Sequence, residues 1–338
     1  MIRERNHQID NAKAGLIFLV IFGHLIEPYI AKDTIFNGIY SAIYTFHMPM
    51  FVFISGMLSK RNFGDDYIVR NIVSLVIPFI LFQIFYEALE YYFYGSIASY
   101  TLNIRPYWIL WYLWCLIFWR HMLVVFRFFR FPIVISIVLA ILAGYVYYIG
   151  YYLSFSRILV FFPIFLAGHY LGTDFFSKLR FKGYFLIYPL ILIAILCVFL
   201  YVLNINPRWM YGSMSYESVG CKEWYAGGYR FGLLLLSLIV GFSFIGLMPQ
   251  RKNYLTGYGK NVLFVYLWHG FFVKGLVWSG ITMSILKYGR MAYMGFSVLV
   301  SVALFCLLSN SFVSHGTDKY IIRPFAFLLL AKRKKQIA

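Results

Sequence analysis

Charge is scarce in this 338-residue chain: Asp, Glu, Lys and Arg make up 12% of it, and apolar residues fill 62%. A soluble domain carries about 25% charged residues, so an ordinary soluble fold is excluded. The whole chain, 1–338, reads as a single membrane domain with little left for a separate module. Acids are scarcest, 12 against 30 Lys and Arg, for a formal charge of +18. Nucleic acid is the first partner such an excess suggests. Here the basic residues sit in short clusters between apolar runs, where membrane orientation places them, and no nucleic acid is expected. Cys115, Cys197, Cys221 and Cys306 are scattered without CxxC or Cys/His spacing, which excludes a disulfide framework or a zinc motif built on them. No small-x-small cleavage site follows the first apolar run and a histidine sits inside it, so it reads as a retained span, not a signal peptide. No internal repeat or low-complexity segment is evident.

What the chain does have is long apolar runs bounded by charge or turn residues. They predict an all-α, polytopic membrane protein of about ten helices near 12–30, 39–58, 68–93, 106–126, 131–150, 156–172, 183–203, 228–248, 259–279 and 290–312. Segments this long without strict alternation exclude a β-barrel. With the N-terminus inside, basic residues recur at every cytoplasmic turn: Arg3, Arg5 and Lys13; Lys60, Arg61 and Arg70; Arg120, Arg127 and Arg130; Lys178, Arg180 and Lys182; Arg251, Lys252 and Lys260. That asymmetry places both termini in the cytoplasm. The tail 321–338, with its basic cluster AKRKK, reads as an interfacial anchor beside anionic lipid. The outward loop 204–228 is rich in Trp and Tyr; Arg208, Glu217, Glu223 and Arg230 could hydrogen-bond sugar hydroxyls there, and an interfacial aromatic belt explains its composition equally well.

Ionisable groups at membrane depth are costly, so each is a functional candidate. His24, His47 and His269 fall on three different runs at similar expected depth. Lys13 and His24 are 11 residues apart, which returns the helix to within about 20° of the same face. This predicts a polar stripe from the cytoplasmic mouth to mid-bilayer, with Asp10 as helix N-cap beside Lys13. A snorkelling lysine and an isolated packed histidine would give the same pattern. His47 stands in FHMP, where Pro49 predicts a kinked or broken helix and Ser55-Gly56 a close neighbour. His47 could instead bond a carbonyl that Pro49 frees. Tyr266 precedes His269 by three positions, so phenol and imidazole share a face and could hydrogen-bond. Arg70 opens the third run, as a positive-inside anchor or an anion-binding arginine. His169, beside Gly168, reads as structural. Three imidazoles can bind zinc, but no spacing demands it, and no metal is assigned. A secondary transporter or flippase for a glycan or lipid-linked sugar also carries polar groups at mid-depth. The absence of a repeat and the few intramembrane acids weigh against it.

IDNAKAGLIFLVIFGH, followed by IYSAIYTFHMPMFVFISGMLSK, resembles the opening of the membrane acyltransferase-3 family, and most closely its fucose 4-O-acetylase-like branch. VRNIVSLVIPFI, YWILWYLW, SRILVFFPIFLAGHYLG and GKNVLFVYLWH extend the likeness, in the family's order, over most of residues 5–272. The resemblance implies a multi-pass protein of a bacterial inner or plasma membrane. Its implied activity is O-acyl transfer from cytosolic acyl-CoA, usually acetyl-CoA, to a hydroxyl of an envelope or extracellular carbohydrate. By position, His24 is the implied catalytic histidine, supported by Asp10, with His47, Tyr266 and His269 at family-typical catalytic positions. Lys13 and Arg70 are implied on the CoA side, and lysine stands where many members have arginine. No soluble hydrolase domain follows, so transfer is expected to be direct or through a partner; an oligomer is left open.

Overall fold

The computed structural model describes residues 5–59, 64–96, 99–178, 186–202 and 205–329. Arg3, Lys60, Arg61, Arg180, Lys182 and the tail beyond 329, all used above to orient the chain, lie outside the described residues, as does the side chain of Lys178.

The described residues form helices and no strand. Among the described residues, seven helices are long and apolar enough to cross a membrane: His7–Tyr29, Thr34–Met57, Tyr67–Tyr94, Trp108–Phe126, Tyr152–Leu171, Ala226–Leu247 and Arg290–Leu308. Shorter apolar helices, Pro132–Ala143, Ile187–Val202 and Val262–Trp278, stand where the fifth, seventh and ninth runs were expected. In chain order we label α1 (His7–Ile26), α2 (Thr34–Met57), α3 (Tyr67–Tyr94), α4 (Trp108–Phe126), α5 (Pro132–Ala143), α6 (Phe155–Leu171), α7 (Ile187–Val202), α8 (Ala226–Leu247), α9 (Val262–Trp278) and α10 (Arg290–Leu308).

Packing divides the chain into two compact units. The first holds residues 1–54, 171–210 and 232–314. Its axis is α1, which packs against α9, α10 and the short helix Tyr254–Tyr258. An apolar helix buried around most of its circumference belongs in a core, and Leu16, Ile17 and Ile21 are all within 1% of complete burial. Its register rests on Asn11, fully buried, whose amide donates to the carbonyls of Pro249 and Arg251 at 2.7 and 3.2 Å and whose oxygen accepts from Thr256 Oγ1 at 2.7 Å.

The helix N-cap is Asn6, not Asp10. Asn6 Oδ1 accepts from Ile9 N at 3.2 Å, and α1 thus begins six residues before Lys13. His24 consequently lies in the last turn of α1 rather than at its middle. Pro28 ends the helix, since it has no N–H for the ladder, and Glu27–Tyr29 continue as a 3-10 turn. The Leu25 carbonyl takes the Tyr293 hydroxyl at 2.7 Å, tying α10 to this end.

Pro49 does not break α2, which runs unbroken from Thr34 to Met57. The carbonyl deprived of its donor is that of Thr45, four residues back, and Ser237 Oγ on α8 lies 2.6 Å from it. His47 instead bonds the Ile43 carbonyl of its own helix. Asp33 starts α2, its carboxylate accepting from Ile35 N and Phe36 N at 2.9 and 3.1 Å and from Arg290 Nε at 2.5 Å. Burial raises the Asp33 carboxyl, but these donors outweigh it and hold it below the usual carboxylate value. A depressed folded value contributes stability above the unfolded pKa of about 4 and loses it as pH falls through the folded value. Asp33→Asn, which keeps the cap and removes the charge, is expected to lower the thermal midpoint at pH 7 by about 1–3 °C. The difference should close below about pH 4, as differential scanning fluorimetry in detergent would report.

The second unit holds residues 55–170, 211–231 and 315–338. Indole N–H groups pin its helices: Trp119 Nε1 and Trp114 Nε1 each donate at 2.8 Å, to the carbonyls of Ile158 and Leu153. Ser55 meets the Tyr112 hydroxyl at 2.7 Å. A Cβ on Gly56 would stand 1.9 Å from the Phe165 carbonyl oxygen, the close neighbour expected there. His169 Nδ1 lies 2.6 Å from Ser59 Oγ. The fifth run, expected over 131–150, ends as a helix at Ala143. Tyr216, distant in sequence, takes its last carbonyls: its hydroxyl donates to Ile141 O at 2.8 Å and its N–H to Gly144 O at 2.7 Å.

Candidate functional site

The first unit gathers His24, His47 and His269. His24 comes from α1, His47 from the middle of α2 and His269 from the middle of α9. The His24 and His269 rings are stacked, centroids 5.5 Å apart. Tyr44, one turn before His47 on α2, links the rest: its ring lies 4.4 Å from His47 and 6.4 Å from His24. The structure thus brings three imidazoles from three separate helices into one cluster.

Glu27 is the addition that sequence reading did not make. Its Oε2 lies 2.7 Å from His24 Nδ1, and the Tyr44 hydroxyl lies 3.4 Å from the same nitrogen. Residues three apart share a helix face, and the acid at the end of an apolar run was the available signal. With Nδ1–H donating to the carboxylate, the lone pair of the neutral ring sits on Nε2. His24 and Glu27 side chains keep 14% and 31% of their surface exposed, so a reactant can reach the pair.

The other two histidines are sealed. His47 is 1% exposed and its Nδ1 donates to Ile43 O at 2.8 Å. His269 is fully buried, with Nδ1 donating to Tyr266 O at 2.8 Å. The link from Tyr266 to His269 therefore runs through a main-chain carbonyl, with the rings 6.1 Å apart. The His269 Nε2 atom is buried and has no hydrogen-bond partner among the described residues. Among those residues no three His, Cys, Asp or Glu side chains are arranged to hold a metal ion.

At the other end of α1, Asp10 is flanked by two cations: Lys13 Nζ at 2.8 Å and Arg5 Nε at 2.5 Å. The net charge of this trio is positive, which suits an anionic ligand. No continuous polar stripe connects it to His24, because Ile17 and Val20 between them are buried. Helical rise puts Lys13 and His24 about 16 Å apart along the axis. Arg70 belongs to the second unit, where its side chain is exposed and its carbonyl accepts from Ser74 Oγ at 2.6 Å.

In the loop before α8, Arg208, Glu217 and Glu223 are exposed, whereas Arg230 is 3% exposed with its guanidinium 5.9 Å from the Tyr216 ring centre. Arg230 is thus a packing residue rather than a surface contact for sugars. Glu217 is paired with Lys222 at 2.7 Å.

Comparison with known proteins gives two kinds of match. The family described as "Acyltransferase domain" matches residues 6–310. Two nodulation proteins NolL are similar over shorter stretches. That of Sinorhizobium fredii (strain NBRC 101917 / NGR234) is 29% identical over 122 residues, 32% of this chain and 33% of its own length. That of Mesorhizobium japonicum (strain LMG 29417 / CECT 9101 / MAFF 303099) is 44% identical over 59 residues, 17% and 16% of the two chains. The chain thus spans about a third of one curated relative and about a sixth of the other. No solved structure matches.

Proposed function

The chain belongs to the acyltransferase-3 family, and from that premise we propose that it carries an acyl group, most simply acetyl, from cytosolic acyl-CoA to a carbohydrate hydroxyl across the membrane. The observation that carries this reading is the Glu27–His24 pair at 2.7 Å, the partly exposed acid–base couple of the histidine cluster. A thioester is a ready acyl donor, but a sugar hydroxyl attacks poorly until a base removes its proton. In the proposed reaction the acceptor oxygen bonds to the thioester carbonyl carbon and its proton passes to His24 Nε2. The carbon–sulfur bond breaks, and the imidazolium returns the proton to the leaving thiolate. Glu27 holds the ring in the required tautomer and offsets the transient positive charge. A route through an acyl group carried on His24 uses the same nitrogen.

Lys13 and Arg5, on either side of Asp10, would meet CoA phosphates, and the axial separation of about 16 Å from Lys13 to His24 suits a donor whose phosphates lie far from its thioester. We extend the CoA side to Arg70 and the supporting roles to His47 and Tyr266 by family position alone. The ten-span arrangement with both termini inside, and the fucose 4-O-acetylase-like branch, belong to the same proposal.

The pair can be tested on its own. Glu27→Gln is expected to lower kcat on the order of 10²-fold with little change in KM for acetyl-CoA, measured by thiol release in the presence of acceptor glycan. Unchanged kcat would remove Glu27 from the reaction.

A further inference from the structure

The second unit carries a polar cluster that the proposed chemistry does not use. On α3, Gln83, Glu87 and Glu90 recur at helical spacing on one face. Gln83 donates to Glu87 Oε1 at 3.1 Å and accepts from Tyr107 N at 2.8 Å, while the Tyr107 hydroxyl donates to the Glu90 carboxylate. The remaining carboxylate oxygen, Glu87 Oε2, is buried and has no hydrogen-bond partner among the described residues. Such an oxygen at the end of an apolar helix is costly unless something donates to it.

Aromatic rings and two guanidinium groups continue the cluster. The Tyr100 ring lies 4.6 Å from that of Tyr107, and the Arg105 guanidinium sits 4.9 Å from Tyr100 and 5.5 Å from Tyr151. The Arg157 guanidinium lies 5.1 Å from Tyr151 and 4.7 Å from Trp111. The backbone here is strained: Ile104, Leu153 and Ser154 have φ of 49°, 47° and 52°. They are the only non-glycine residues with positive φ among the described residues. Leu153 N donates to Ile104 O at 2.9 Å, locking two of them together beside Arg105 and Tyr151. A β-branched residue with positive φ is a true outlier, and such strain collects where ligands are held.

We propose that this cluster binds a neutral sugar, its hydroxyls turned to Glu87 and Arg157 and its C–H faces to the tyrosines. An anion would meet Glu87 and Glu90, and a cation would meet Arg105 and Arg157. A polyol both donates and accepts, so it suits both charges at once, and aromatic faces suit the apolar faces of a sugar ring. Sugar binding here stands apart from the acyltransferase reading above and is measured without donor.

The test uses the full chain in lipid nanodiscs, titrated calorimetrically with neutral pentasaccharides of glucose, galactose and mannose. Wild type should bind at least one saturably, and Glu87→Gln and Arg157→Gln should each weaken that binding about 10-fold or more. Acetyl-CoA binding should stay unchanged in both variants and the thermal midpoint in Glu87→Gln, whereas Arg157→Gln also gives up its 3.1 Å bond to the Tyr211 carbonyl; His24→Ala should bind the sugar as wild type does. Equal binding by both cluster variants, no binding of any neutral pentasaccharide, or binding only of a sulfated one overturns the proposal. If sugar binding is lost in Glu87→Gln but wild type transfers no acetyl, the sugar site stands and the acyltransferase reading falls. The converse result keeps the enzyme and removes this site.

Discussion

His24→Ala is expected to lower acyl transfer by about 10²–10⁴-fold while leaving folding and acyl-CoA binding intact. The magnitude follows from the base's task. Without an acceptor for its proton, the sugar hydroxyl must attack as a neutral alcohol, and thioester reactivity alone does not compensate. The fold should survive because His24 is partly exposed, although its ring also stacks on buried His269. Its Nδ1 meets Glu27 and the Tyr44 hydroxyl rather than the buried core. His47 and His269 provide the contrast. Both are sealed against main-chain carbonyls, so alanine there should cost stability as well as rate. A label-transfer assay paired with thermal unfolding separates the cases: activity lost without a change in midpoint at His24, both lost at the other two.

The second large effect is structural and turns on two glycines in the same short stretch. A Cβ on Gly259 would stand 1.9 Å from the carbonyl oxygen and 2.6 Å from the carbonyl carbon of Asp10. Those are backbone atoms of α1, which cannot rotate aside. Gly259→Ala is therefore expected to push the short helix Tyr254–Tyr258 off α1 and loosen the Asn11–Thr256 bond at 2.7 Å. Overpacking of this kind costs about 3 kcal/mol, a fall of about 5–10 °C in the midpoint. Gly257→Ala, two residues earlier, meets nothing within 4 Å and replaces a helical glycine. It should be neutral or stabilising by up to about 1 kcal/mol. Scanning fluorimetry of the two variants side by side tests the contact; equal midpoints would mean that α1 and this helix do not approach as described.

The apolar runs made the helices legible, because nothing but burial or lipid accommodates such stretches, and the helices stand within a few residues of where the runs place them. The exceptions have non-local causes. The fifth run loses its helix at Ala143 because Tyr216, far along the chain, takes the carbonyls that would have extended it. Pro49 signals a break by the local rule, yet Ser237 on another helix meets the carbonyl it frees. Asp10 looked like a cap because acids favour first turns, but Asn6 lies where a cap can reach the free N–H groups, and Asp10 turns to Lys13 and Arg5. The candidate site was legible in its histidines, which stand out in apolar runs. Glu27 and Tyr44 were not, since a carboxylate near a helix end and a tyrosine among many tyrosines acquire meaning only through their distances to His24. The strained turn at Ile104 and Leu153 left no mark at all, because residues of ordinary β preference occupy it.

The central claim, that this chain moves an acyl group from one face of the membrane to a carbohydrate on the other with His24 as its base, is tested most directly in sealed vesicles. Purified protein would be reconstituted with radiolabelled acetyl-CoA trapped inside and envelope glycan supplied outside, with protein orientation assigned by protease accessibility. Label appearing in an alkali-labile ester on the external glycan with wild type, and not with His24→Ala, is the expected result. Label remaining in CoA with wild type, or transfer that persists in His24→Ala, would contradict the account.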